Sequence, residues 1–236
     1  MKHHHSPRGG RLIIGLLACL FSFHSFAADA IPTGTLTVDR SLVRVGTKSQ
    51  LGWNIQYPAG VTELIEIVDP QTIKPKRDLK MRARVLGASF QETVNSFLNV
   101  EVYWNKNSSS WAKIFNGTQL LVNPTNVVLN TTVKKDDKIN FGGRGYRSGS
   151  WLPLYNTGAN TPNVVLLQNG DQVPSTTPAF QQGQIETFLK PYLLADKKTI
   201  SIGDLDVIVL MELGQTDPDN SGFDLQDLVV LVTFEK

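Results

Sequence analysis

The sequence predicts an all-β chain, a β-sandwich of roughly ten or more strands with one short helix. Three observations predict it. Short runs rich in Val, Ile, Leu and aromatic residues are separated by clusters of Gly, Pro, Asn and Asp. Leu79 to Val85 alternates: Leu79, Met81, Ala83 and Val85 fall on one face, and Lys80, Arg82 and Arg84 on the other. A period of two is that of a half-buried strand with a wet basic face. Finally, Asp206–Leu213 and Asp227–Phe234 are nearly unbroken Val, Ile and Leu, as strands covered on both faces are. No longer repeat indicates a solenoid or propeller.

In chain order, the first 27 residues read as a bacterial signal peptide. Lys2, Arg8 and Arg11 form a positive start, Leu12 to Phe23 an apolar run, and Ser25-Phe26-Ala27 a small-residue cut site. The run is too short to span a bilayer. Leu16-Leu17-Ala18-Cys19 also resembles a lipobox, so a lipid anchor at Cys19 is the minor alternative. Strands are then expected at Leu36–Val38, Leu42–Val45, Gln50–Ile55, Leu79–Val85, Leu98–Trp104, Trp111–Phe115, Asn126–Thr132, Lys138–Phe141 and Asn163–Leu167, besides the last two. Asn105 to Ser110 makes a turn. Ile185, Phe188, Leu189, Tyr192 and Leu193 fall at helical spacing from Gln182 on, with Pro191 to kink or end the helix. The Pro-containing stretch Asp69–Pro75 marks a boundary. Residues 31–75 are expected to be N-terminal immunoglobulin-like strands docked on a main β-sandwich at 76–236.

Composition narrows the chemistry. The leader carries three of the 23 Lys+Arg and none of the 21 Asp+Glu. The apparent basicity therefore belongs to the leader, and the rest offers no argument for nucleic acid or an anionic membrane. All four histidines (His3, His4, His5, His24) and the one cysteine, Cys19, also lie in the leader. Thiol catalysis, Ser-His-Asp triads, His- or Cys-ligated metals and disulfides are excluded for residues 28–236. A domain of about 200 residues buries roughly 70% of its unfolded surface, enough for a core without staples.

Enzyme chemistry then survives through carboxylates, Ser-Lys or Tyr. The acidic C-terminus is the strongest candidate feature: between Asp204 and Lys236 there are eight acids and one base. Asp217-Pro-Asp219-Asn220-Ser221-Gly222 opens like a calcium loop, with oxygen side chains at alternate positions and a glycine at the sixth. The match ends there, because the twelfth position is Leu228. A hairpin describes the segment better: strand Asp206–Leu213, loop Gly214–Gly222, strand Asp227–Phe234. Its carboxylates, Glu212, Asp217, Asp219, Asp224 and Asp227, would gather at one end. Two readings stand, a Ca2+ site of hard oxygen ligands and a solvated acidic turn.

Glu212-Leu213 followed by SGFDLQDLVVLVTF resembles the C-terminal pattern of exported bacterial choice-of-anchor-type β-sandwich domains. Those end on a glutamate-containing strand, an Asp-rich loop and an Asp-aromatic-x-Asp-Val-Val-x-Val strand. Glu212, Asp224 and Asp227 match the acidic positions, and Leu225 stands where the pattern has an aromatic. The resemblance covers about 25 residues closely. It implies a β-sandwich of surface or secreted proteins, with calcium in some, and names no activity. LVRVGTKSQLGWNI similarly looks like the opening strands of immunoglobulin-like exported domains.

Two further features carry expectations. Asn140 to Tyr155, NFGGRGYRSGSWLPLY, reads as a glycine-rich loop that interleaves Arg144, Tyr146, Arg147, Trp151 and Tyr155. Aromatic faces beside Arg forks suit a sugar or peptide site, and equally suit a cap on the core. Lys74, Lys76, Arg77, Lys80, Arg82 and Arg84 form a basic run best read as the exposed face of a strand. The expected function is a non-enzymatic secreted, periplasmic or cell-surface protein with a structural or adhesive role, stabilised by calcium. A surface glycan or envelope protein is the expected partner, with no nucleic acid and no transmembrane segment after the leader. The alternatives are a carbohydrate-binding module using Trp151 and Tyr155, and a carboxylate-based glycoside hydrolase.

Overall fold

A computed structural model describes residues 33–38, 51–56, 64–93, 96–174 and 188–236. The leader, Cys19 and the strand expected at Leu42–Val45 lie outside the described residues. The chain forms two compact units, residues 1–57 and 58–236. In the first, β1 (Thr33–Val38) and β2 (Leu51–Gln56) pair antiparallel, Thr33 opposite Gln56 and Val38 opposite Leu51.

The division falls after Tyr57, ahead of the boundary expected at Pro75. β3 (Ile65–Val68) and β4 (Thr72–Pro75), on either side of the Asp69–Gln71 turn, are a hairpin of the second unit. Ile65 and Ile73 are fully buried in its core, and Ile73 pairs with Ile139. The prolines of this stretch mark a turn and a strand end, where a missing N–H is tolerated, and not a linker.

The second unit is a two-sheet β-sandwich, as predicted. Its strands are β5 (Leu79–Gly87), β6 (Val100–Lys106), β7 (Ala112–Gly117), β8 (Leu129–Val133), β9 (Ile139–Arg147), β10 (Ser150–Trp151), β11 (Tyr155–Asn156), β12 (Val164–Leu167), β13 (Asp206–Met211) and β14 (Leu228–Glu235). One sheet has seven strands in the order β3-β4-β9-β6-β7, with β10 and β11 also paired to β9; the other is β12-β13-β14-β5-β8. All their pairings are antiparallel.

Alternation builds the core between the sheets. Leu79, Met81, Ala83 and Val85 of β5 are buried while Lys80 is exposed and Arg82 and Arg84 half-exposed. They meet Val100, Val102, Ile139 and Phe141 of the opposite sheet in one cluster. β13 and β14 are buried on both faces, as their unbroken apolar runs predict. Val207, Val209, Met211, Val230 and Val232 face the inter-sheet core. Ile208, Leu210, Val229 and Leu231 face a second cluster with Leu167, Val173, Leu189, Ile200, Phe223 and Leu225. Residues 182–187 of the helix expected from Gln182 lie outside the described residues. Beyond them, Lys190–Tyr192 forms a 3-10 turn with Pro191 inside it, and Leu189 is fully buried in the second cluster.

The glycine-rich stretch 140–155 is not the loop its composition suggests. It is strand β9, a two-residue turn and strands β10 and β11. Gly143 and Gly145 alternate inward with Ile139 and Phe141. A Cβ on Gly143 would lie 2.6 Å from Leu228 and 2.8 Å from Met211, and one on Gly145 would lie 2.3 Å from Phe90. These glycines make room for bulky side chains opposite, a packing role. At the tip, Ser148 and Gly149 have φ of 52° and 82°, the left-handed pair that closes a tight hairpin. Asn107 and Ser108, at 54° and 59°, do the same between β6 and β7, where a turn was expected.

Candidate metal centre

The site lies where β13 gives way to β14. Met211 and Leu213 are anchored in the inter-sheet core, so Glu212, between them, is drawn inside. Downstream, Phe223 and Leu225 plug into the second cluster and Leu228 into the first. The intervening Asp224 and Asp227 are thereby carried under the surface. Leu225 holds a left-handed φ of 56°, a conformation that costs a non-glycine residue of order 1–2 kcal/mol. Burial of its side chain offsets that cost.

Glu212, Asp224 and Asp227 are 1%, 7% and 9% exposed, and one carboxylate oxygen from each lies within 4.8 Å of the others. Backbone amides line the cluster. Leu213 N–H donates to Asp227 Oδ2 at 2.8 Å, and Gly214 N–H is shared between that oxygen, at 3.2 Å, and Glu212 Oε1, at 2.9 Å. Gln215 N–H donates to Glu212 Oε1 at 3.0 Å, Asp224 N–H to Glu212 Oε2 at 3.1 Å, and Gln226 N–H to Asp224 Oδ1 at 3.2 Å. The Gln226 side-chain amide also donates to Asp224. Asn163, at the start of β12, clamps the turn. Its Nδ2 donates to the carbonyls of Glu212, at 3.0 Å, and Gln215, while its own carbonyl accepts Glu212 N–H at 2.8 Å.

Among the described residues, no Lys or Arg makes an ion pair with any of the three acids. Arg147, whose ring neighbour is Phe90, donates instead to the Gly214 carbonyl at 3.1 Å. Burial and the Glu212 charge push the Asp224 carboxyl up to about 7. The same two causes hold Asp227 well above the usual carboxylate range. Amide dipoles soften the repulsion but carry no net charge. Three carboxylates in this volume therefore bind protons or a cation.

The structure brings together three of the five acids expected in the site. Asp217 and Asp219 are exposed in the loop, where Asp217 Oδ1 accepts Asp219 N–H at 3.0 Å. Local turn geometry uses Asp217, and no apolar neighbour drags either acid inward. The calcium-loop spacing at 217–222 is therefore not the feature that gathers ligands.

The five residues expected to bind a ligand are divided by the strand pleat. Arg144, Tyr146 and Trp151 are on the outward face of the seven-stranded sheet. Arg147 reaches toward Gly214 on the other side. Tyr155, paired with inward Gly143, packs on the core. Burial, then the Glu212 charge, raise its phenol above the usual value, so Tyr155 belongs to the neighbourhood of the acid trio. Sequence reasoning missed Asn163 and Gln226, which lie in ordinary turn contexts. It also missed Glu101, whose one signal is an acid set between Val100 and Val102 in a strand.

Among the described residues, no helix is long and apolar enough to cross a membrane. No family model, curated protein or solved structure matches the chain, so what the trio does follows from its own chemistry.

Proposed function

We propose that this chain is a non-enzymatic secreted or cell-envelope β-sandwich protein with a structural or adhesive role, whose C-terminal hairpin is locked by a calcium ion held between Glu212, Asp224 and Asp227. The observation that carries the cation is the trio itself: three buried carboxylates with no basic partner among the described residues. Their burial argues against a glycosidase, because a sugar polymer cannot approach carboxylates this enclosed whereas a bare cation can. Hard oxygen donors, in a chain with no His or Cys after residue 27, favour calcium over zinc or copper. Extracellular calcium sites of about 10⁻⁴–10⁻³ M affinity suffice where calcium is millimolar. The ion would join the end of β13 to the start of β14 and so hold the loop between them. The leader and the C-terminal resemblance support export.

The test is thermal unfolding in excess chelator, in several millimolar calcium and in equal magnesium. Terbium emission sensitised by aromatic residues near the trio, Tyr155 among them, reports binding directly. Calcium is expected to raise the melting temperature by several degrees. Asp224→Asn should remove that rise, and Asp217→Asn or Asp219→Asn should keep it. One melting temperature in all three buffers, with no terbium emission, would show that the trio carries protons and no metal.

A further inference from the structure

The outward face of the seven-stranded sheet carries a second constellation, separated from the acid trio by the sheet. Glu101 on β6 is cross-strand from Arg144 on β9 and is only 3% exposed. Arg144 Nε donates to Glu101 Oε2 at 2.7 Å, and Arg144 Nη2 donates to the Tyr103 hydroxyl at 2.8 Å. Lys113 on β7 reaches Glu101 Oε1 at 2.8 Å, and the Tyr103 hydroxyl donates to Oε2 at 2.5 Å. Burial pushes the Glu101 carboxyl up, but these hydrogen bonds overcome it and hold the group below the usual range.

The acid fixes the arginine, and the arginine fixes two rings. Its guanidinium carbon lies 4.9 Å from the Trp151 ring centroid and 5.3 Å from that of Tyr103. Tyr146, cross-strand from Trp151, meets it edge-on, with centroids 5.1 Å apart at 64°. Trp151 is half-buried and Tyr146 is 38% exposed. The rings are thus partly open to solvent yet already held, which lowers the ordering cost of a ligand that stacks on them.

The charge on this face has a sign. Arg144 and Lys113 are set against one carboxylate, and β6, β7, β9 and β10 contain no other acid. Lys113 has a side chain 46% exposed and three donors, one of them used on Glu101. We propose that this face binds an anionic glycan, with sugar rings against Tyr146 and Trp151 and an acidic substituent at Lys113 and Arg144. One surplus positive charge is too little for nucleic acid, whose binding rests on many phosphate contacts. It suits a polymer with one carboxylate per sugar. The site is independent of the cation reading, because it shares no residue with the trio.

The experiment is calorimetry and tryptophan fluorescence with the full chain and three hexasaccharides: a galacturonate, an alginate and a neutral cellohexaose. It is run in excess chelator, so calcium bridging by uronates does not contribute and failure of the calcium reading leaves the result intact. Either uronate should bind and shift the emission, at least threefold more tightly than the neutral sugar. Uronate binding should weaken when salt rises to about 0.3 M, where the screening length is about 5–6 Å. Trp151→Ala should lower affinity tenfold or more, Trp151→Phe should keep most of it, and Lys113→Ala should narrow the preference for uronates. Tyr146→Ala, at an exposed position, tests the platform even if Trp151→Ala unfolds the sheet. No binding of either uronate, equal binding of the neutral hexamer, or affinity unmoved by both Tyr146→Ala and a folded Trp151→Ala would overturn the proposal.

Discussion

Replacing Asp227 with Asn should stabilise the protein when no cation is present, although it alters a buried side chain. Carboxylate oxygens within 4.8 Å of one another repel by about 3–4 kcal/mol per pair at an effective dielectric of about 20, and Asp227 belongs to two such pairs. The wild type escapes by retaining protons, which costs about 1.4 kcal/mol for each pH unit above the ordinary carboxyl value. Asparagine keeps an oxygen to accept the Leu213 and Gly214 amides and turns an N–H₂ toward Glu212. The sign follows from the raised folded values. Stability from a carboxyl so raised is complete below its ordinary value of 3.8 and is lost as pH passes the folded value, about 7 for Asp224. In chelator at pH 8, Asp227→Asn should therefore exceed the wild type by about 2–4 kcal/mol. That is roughly 4–16 °C in melting temperature for a domain of this size. The gap should shrink at pH 5, where the wild-type trio holds its protons. It should also narrow in millimolar calcium, which stabilises the wild type by about 1–3 kcal/mol at 10–100 times the dissociation constant. Paired melts at pH 5 and pH 8, with chelator and with calcium, read all four values. A variant no more stable than the wild type in chelator at pH 8 would refute the claim that the trio is charge-frustrated.

Other perturbations test the scaffold. The Gln71 side chain bridges the β3–β4 turn to β12, donating to Val164 O at 2.6 Å and accepting Leu166 N–H at 2.7 Å. Gln71→Ala should cost about 1–3 kcal/mol in urea unfolding. Gly145→Ala drives a methyl to 2.3 Å from Phe90 and should cost about 2 kcal/mol or more. Gly149→Ala, at φ 82° with nothing within 4 Å, should cost about 1 kcal/mol from the backbone alone. Glu101→Gln leaves Arg144 and Lys113 without their counter-charge and should destabilise by about 3 kcal/mol at pH 7. Because the Glu101 carboxyl lies below its ordinary value of 4.5, that difference should close as pH falls through its folded value.

Residue order alone marks the strands whose apolar pattern is local. Alternation is a property of neighbouring residues, so Leu79–Val85 announced its inward and outward faces, and the unbroken runs of β13 and β14 announced burial on both. The acidic hairpin was legible for the same reason, two strong strands joined by a polar turn. Tertiary structure alone decided which acids enter the site. Asp217 and Asp219 have the spacing of ligands but no apolar neighbours to carry them inward. Glu212, Asp224 and Asp227 are placed by Met211, Leu213, Phe223, Leu225 and Leu228, which fill two different cores. It also decided that a glycine-rich stretch is a strand, because the need for glycine at 143 and 145 comes from Leu228, Met211 and Phe90, which are remote in sequence. Likewise Arg147 and Tyr155 leave the company of Arg144 and Trp151 because pleat and pairing send them to the other face. Local periodicity records a face, whereas depth and company are set by side chains that meet only when the sheets close.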